Sequence, residues 1–160
     1  MKAKTIRMMS AMALAITASA SFGQTVHYTA GQSTFGARCA VCHQAGGKGQ
    51  DGLAPPLTRY PGRYAATPDG RQQLTATVLN GMYGEIAVQD KTYNFKMPSF
   101  ASLSDEELAE VLNYVVFDLN SKHGNAKPFT AAELKAARDR KLDASAVHAS
   151  RAVLTKSLGL

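Results

Sequence analysis

The stretch Phe35-Gly36-Ala37-Arg38-Cys39-Ala40-Val41-Cys42-His43 decides how the rest of the chain is interpreted. It contains C-x-x-C-H, the attachment signal for c-type heme. On a helix, Cys42 and His43 follow Cys39 by three and four positions, so the three side chains share one face and can meet one flat macrocycle. The motif predicts one covalent heme c, bound through Cys39 and Cys42, with His43 as an iron ligand.

Three other interpretations of the two cysteines are weaker. A thioredoxin-like redox pair would lie near a βαβ pattern, and no strand-rich segment precedes Cys39. A structural zinc site needs four ligands, and the chain has no second cysteine pair and no closely spaced histidine pair. A disulfide between such close residues would close only a very small loop. Heme attachment therefore remains the leading interpretation.

A second axial ligand is sought among the methionines and histidines. Four of the six methionines lie in the first 12 residues, which leaves Met82 and Met97. Pro98 disfavours helix at Met97 and favours a loop that can present sulfur to iron. Met82 follows Gly81 at a predicted helix end, where methionine is more often a packing residue. We predict Met97 as the ligand, because no motif surrounds the remaining histidines, His27, His123 and His148.

The N-terminus has the features of a secretory signal peptide over residues 1–23. Lys2, Lys4 and Arg7 precede an apolar run over residues 8–20, and small residues follow. The predicted mature start is Ser21 or Gln24, of which we favour Gln24. An uncleaved anchor is the alternative, but the run falls short of the roughly 20 residues that a span needs. We expect a periplasmic protein with no stable membrane span after cleavage.

Charge is distributed unevenly along the chain. The net charge of +6 includes three cations of the signal peptide. Residues 24–124 hold eight Lys or Arg against nine Asp or Glu, whereas residues 125–160 hold seven against three. The body is thus almost neutral and the tail is basic. A dense basic face with interleaved aromatic residues is missing, so nucleic acid is not an expected partner.

An early C-x-x-C-H, a late Met-Pro and a helix after it make the chain resemble the class I cytochromes c, over roughly residues 29–121. The resemblance implies an all-α fold of three to four core helices around one covalent heme. It also implies that a proline carbonyl orients the histidine that binds iron, here His43. Pro55 is at the matching position, and Pro56 is the alternative. Residues 93–98 look like the Y-N-G-x-M-P segment of cytochrome subunits of periplasmic dehydrogenases, with Phe95 in place of the usual glycine.

Capping and periodicity predict the helices. Thr29 is expected to cap a helix reaching Cys42, a long loop to follow from residue 46 to about 69, and a second helix to span 70–80. The capping box Ser104-Asp105-Glu106-Glu107 predicts a helix that crosses the first one. A second capping box over 130–133 predicts a helix to about residue 140, and Asp143 one that reaches Leu158. The residues that follow the proline loop, Arg59, Tyr60 and Arg63, are candidates for hydrogen bonds to heme propionates.

These features divide the chain into a signal peptide (1–23), a cytochrome c domain (24–124) and a basic helical C-terminal extension (125–160). The extension is interpreted as an ordinary solvated helix or as a docking surface for an acidic partner. The predicted function is periplasmic electron transfer without enzymatic activity, either alone or as the cytochrome subunit of a dehydrogenase. Its expected partners are a dehydrogenase donor and an oxidase or cytochrome acceptor. The alternative is a small-ligand sensor or enzyme with a displaceable Met97.

Overall fold

The computed structural model describes residues 27–160, so the predicted signal peptide and its cleavage sites lie outside the described residues. Helices make up most of the regular structure, as expected, and one small hairpin accompanies them. In chain order the elements are α1 (Thr29–Arg38), α2 (Ala40–His43), α3 (Tyr60–Ala65), α4 (Pro68–Asn80), β1 (Ile86–Val88), β2 (Lys91–Tyr93), α5 (Asp105–Asn113), α6 (Ala131–Arg138) and α7 (Ala144–Ser157). Within residues 27–160, no helix combines the length and the apolar character that a membrane crossing requires.

The first helix crosses α5, as predicted. Gly31 lies against the backbone of Glu110, so close that an added Cβ would come within 2.0 Å of that carbonyl oxygen. Beside this contact the rings of Phe35 and Tyr114 lie 5.4 Å apart. The prediction that Thr29 caps α1 was wrong, because Thr29 is already helical and Tyr28 holds the cap position. The amide of Tyr28 instead donates to Asp118, which is 90 residues away along the chain.

The segment predicted as a long loop contains a helix that sequence analysis missed. Only six residues long, α3 is too short to show a helical period. The next helix, α4, begins at Pro68 rather than at residue 70, because the Thr67 hydroxyl accepts from the Gly70 amide and caps it. It ends where predicted, at Asn80, and is followed by Gly81, whose φ of 72° favours glycine.

The small antiparallel hairpin was also missed. Its strands are three residues each and pair Ile86 with Tyr93, and the turn between them includes Gln89 at a φ of 59°. Such short strands carry almost no alternation in the sequence. The inward side chains of the hairpin, Ile86, Val88 and Tyr93, form a small core cluster with Tyr60 and Met82.

The capping box at Ser104 is confirmed by both of its hydrogen bonds. The Glu107 amide donates to the Ser104 hydroxyl at 3.1 Å, and the Ser104 amide donates to the Glu107 carboxylate at 2.8 Å. Beyond Asn113 the helix continues as a π-helical turn, Tyr114–Asp118. The apolar face of this helix is buried, and Leu108, Leu112 and Val116 lie in the main core cluster.

The two C-terminal helices pack onto this core. Leu134 of α6 and Phe129 before it belong to the main cluster, and Val147 of α7 is fully buried. As predicted, Asp143 caps α7. Only half of the second capping box forms: Thr130 accepts from the Glu133 amide, but the Glu133 carboxylate binds Arg71 of α4 instead. This ion pair connects α6 to α4, and α6 ends at Arg138, two residues earlier than expected.

Candidate functional site

A large, mainly apolar cavity lies between the helices and the hairpin. About 1440 Å³ of it is not filled by protein atoms, counting its open mouth. Every element from α1 to α5 contributes lining residues, and α7 contributes one. Cys39, Cys42, His43, Pro55 and Met97 all line this one cavity. The structure therefore brings together all five site residues that the sequence predicts.

The attachment motif lies at a break between two helices. α1 ends at Arg38, and Cys39 separates it from the single turn of α2. The chain stays helical through the break, since the His43 amide donates to the Cys39 carbonyl at 2.9 Å. This turn keeps both cysteines and the histidine on the cavity side. Neither cysteine forms a disulfide, so both thiols are available for thioether bonds.

A proline carbonyl orients the His43 ring. The Nδ1 atom of His43 lies 2.9 Å from the carbonyl oxygen of Pro55, rather than from that of Pro56. A carbonyl can only accept, so Nδ1 carries the proton and the neutral ring keeps a lone pair on Nε2. Burial lowers the pKa of His43, although the hydrogen bond to Pro55 opposes this. The ring is thus held in the neutral form, in which histidine binds metals.

The Cys39 thiol does not have the properties of a catalytic redox cysteine. Burial raises its pKa to about 11, and the neighbouring Cys42 thiol adds to the rise. Reactive CxxC cysteines have a lowered pKa, because the thiolate is the nucleophile. At neutral pH Cys39 is protonated, which counts against the thioredoxin-like interpretation.

Met97 does not lie alone in the cavity wall. Its backbone forms an isolated antiparallel bridge with Met82, through amide-to-carbonyl hydrogen bonds of 3.1 and 3.0 Å. Residues directly opposite in such a pair project their side chains to the same face. Both methionines line the cavity and both are half-buried. The structure thus places Met82 beside Met97, a proximity that the 14 residues between them did not reveal.

The other candidate residues have different positions. His27, His123 and His148 do not line the cavity, and His148 instead hydrogen-bonds the Glu85 carbonyl through Nε2. Of the three propionate candidates, Tyr60 lines the cavity, Arg63 donates to the Leu158 carbonyl, and Arg59 is exposed outside it.

Two buried polar residues of the cavity wall were missed, Gln73 of α4 and Arg151 of α7. A signal for the second was present in the sequence. Val147 and Leu154 stand four residues before and three after Arg151, which assigns Arg151 to the apolar face of α7.

The cavity suits a porphyrin. Its walls are apolar where a macrocycle needs to exclude water, with Leu74 and Val78 from α4 and Leu112 from α5. The two thiols and the histidine lie on one wall as a single motif. At the mouth, Val41 and Phe95 are 77% and 62% exposed, so one edge of the bound group would border solvent. These residues fit a heme attached through Cys39 and Cys42.

Comparison with known proteins agrees with this geometry. Residues 28–116 match the model of the family described as Cytochrome c. The chain is 42% identical over 126 residues to cytochrome c-552 of Thermus thermophilus. The aligned residues cover 78% of this chain and 93% of that protein. It is equally similar to the cytochrome c-552 of one particular Thermus thermophilus strain, where the match covers 82% of the relative. Both matches are longer than the stretch covered by the family model, so they extend beyond it.

Proposed function

Since the chain belongs to the cytochrome c family, whose members carry a covalent heme c and transfer electrons, we propose that it is a single-heme electron carrier of the periplasm. Cys39 and Cys42 would hold the heme through thioethers, and His43 and Met97 would bind its iron. Pro55 orients His43. The protein makes and breaks no bond of a substrate.

One observation carries this proposal: Cys39, Cys42, His43 and Met97, which span 59 residues of sequence, line one apolar cavity. A redox enzyme would need distal polar groups and an open coordination position. Met97 itself packs against the apolar core cluster that contains Val78, as Phe100 does, and its backbone is bridged to Met82. Two protein ligands would leave no position for a substrate.

The residues of the chain have separate tasks in electron transfer. When bound, heme supplies a one-electron couple between ferrous and ferric iron. His43 is held neutral and oriented by Pro55, which strengthens it as a donor. The apolar walls exclude water, and together with methionine sulfur this favours the ferrous state and raises the potential.

The mouth of the cavity is the proposed docking edge. Val41 and Phe95 are the exposed apolar residues there, and Arg38 and Lys96 flank them with positive charge. Such an apolar centre with a charged rim suits transient contact with redox proteins. We propose a dehydrogenase as donor and an oxidase or another cytochrome as acceptor, with the chain acting alone or as a dehydrogenase subunit.

Export and processing belong to the same proposal. We propose that residues 1–23 are removed as a signal peptide, so that the mature chain begins at Gln24 and matures outside the cytoplasm. Residues 24–124 then form the heme domain, and residues 125–160 a basic C-terminal extension packed against it. N-terminal sequencing of the mature protein tests this; an intact Met1 would contradict it.

Covalent attachment is tested in a host competent in cytochrome maturation. The secreted protein should keep its heme after denaturation and acid-acetone extraction, at one heme per chain by pyridine hemochrome assay. The variant in which both cysteines are replaced, Cys39→Ala with Cys42→Ala, should lose it. A wild-type protein that comes out colourless would refute the proposal.

The axial ligand needs a test that accounts for Met82. The oxidised wild type should show the weak iron-to-sulfur charge-transfer absorption. Met97→Ala should abolish it with heme still attached, and Met82→Leu should leave it unchanged. If the absorption persists in Met97→Ala because Met82 binds the iron instead, the double variant Met82→Leu with Met97→Ala should abolish it. Prompt carbon monoxide binding by the reduced wild type would favour the sensor interpretation instead.

A further inference from the structure

The last helix contributes one side chain to the cavity, and it is a buried cation. Arg151 of α7 is only 9% exposed and lines the cavity together with the attachment motif. An arginine so far from water needs a compensating anion, because burying an unpaired charge destabilises the folded protein.

The described protein supplies no such anion. Within residues 27–160, no carboxylate lies within 4.0 Å of the Arg151 guanidinium, although four other side-chain pairs meet that distance. No Asp or Glu is among the cavity-lining residues. The hydrogen bond that Arg151 does make is a long one, 3.4 Å from Nη2 to the Ala87 carbonyl. Within the described residues, the guanidinium therefore keeps donors that have no protein partner, at the wall of the cavity.

Arg151 is also held firmly in position. One turn before it, the Val147 carbonyl accepts from Gln73 of α4 at 3.1 Å. One turn after it, the Thr155 hydroxyl donates to the Arg151 carbonyl at 2.6 Å and lies 3.2 Å from the Tyr64 hydroxyl of α3. These contacts anchor α7 on both sides of Arg151, so its backbone is held beside the cavity that the side chain lines.

We propose that Arg151 binds a heme propionate, with its guanidinium as the counterion of that carboxylate. Heme brings two carboxylates into a cavity whose wall has none, and a guanidinium fork matches a carboxylate in a bidentate pair. The C-terminal extension is then part of the heme site. This inference rests on heme attachment through Cys39 and Cys42, and it is independent of which protein is the electron partner.

The test uses the ferrous wild-type holoprotein and three variants. In wild type labelled with ¹⁵N-arginine, the guanidinium protons of Arg151 should show nuclear Overhauser contacts to propionate methylene protons. Arg151→Met removes the charge and keeps the apolar stem, Arg151→Lys keeps the charge without the fork, and Lys156→Met removes an exposed cation of the same helix.

We expect Arg151→Met to shift the propionate bending band in resonance Raman spectra and to lower the midpoint potential, because the lost cation had favoured the ferrous state. Arg151→Lys should shift both less, and Lys156→Met should shift neither. Wild-type holoprotein without the Overhauser contact, or Arg151→Met with an unshifted Raman band, would overturn the inference. Covalent heme is scored separately by acid-acetone extraction, so these failures differ from failure of heme attachment.

Discussion

The same substitution at two glycines of α1 should change stability in opposite directions. Gly31 and Gly36 both lie within the helix, so replacing either with alanine gains about 0.5–1 kcal/mol of helix preference. At Gly36 nothing lies within 4 Å of the added Cβ, and Gly36→Ala should stabilise the protein by that amount. At Gly31 the added atom would come within 2.0 Å of the Glu110 carbonyl oxygen and 3.0 Å of the Tyr114 Cβ.

The obstacle at Gly31 is backbone, which cannot rotate away, so α1 and α5 must separate. Overpacking of this kind costs about 1–3 kcal/mol, and we take the upper end because the contact is so short. Gly31→Ala should then lose about 2 kcal/mol, which leaves the two variants about 3 kcal/mol apart.

Urea unfolding of the ferric holoproteins, followed by circular dichroism, measures this difference. With an m-value of about 1.5 kcal/mol/M, the two midpoints should differ by about 2 M at unchanged slope. Equal midpoints for the two variants would refute the close approach of α1 to α5.

Three further predictions concern other contacts. Asn113 is buried and makes two hydrogen bonds to the backbone of Phe129. Asn113→Leu should therefore lower the free energy of unfolding by about 3 kcal/mol in the same urea assay, because two buried backbone groups lose their partner. Exposed Asn125→Leu is the control, and a loss below about 1 kcal/mol would contradict the expectation. Ser104→Ala should cost about 1 kcal/mol by removing the cap of α5, and an unchanged midpoint would show that the box contributes nothing. Val41→Lys should slow electron self-exchange, measured by NMR line broadening, because it places like charges at the edges that two molecules present to each other; an unchanged rate would locate the docking edge elsewhere.

Helix starts were predictable because their signals are local. Ser104 and Asp143 each cap a helix through a hydrogen bond three residues away, which the sequence displays directly. Thr29 failed as a cap, since the first turn of α1 is instead held by the distant Asp118. The short hairpin and α3 escaped prediction for a similar reason. Their few residues are stabilised by packing around the cavity rather than by a periodic pattern.

The packing of the basic tail, residues 125–160, could not be predicted from its charge. Its charge was visible in the sequence, and it suggested either a solvated helix or a docking surface. Whether the side chains of the tail are buried depends on the helices that the tail packs against, and Leu134, Val147 and Leu154 are all buried. The sequence predicts that Glu133 forms half of a capping box. In the structure Glu133 pairs with Arg71 instead, because a charged partner competes well with a backbone amide.

What the sequence alone determined is the chemistry that local spacing dictates. Cys39, Cys42 and His43 lie within one helical turn, so their meeting with one macrocycle needs no knowledge of the fold. What only the tertiary structure decided is every contact across a long stretch of chain: Pro55 rather than Pro56 beside His43, Met82 opposite Met97, and Arg151 in the wall. These depend on how the chain closes around the cavity, because two residues far apart in sequence become neighbours only when the helices between them pack.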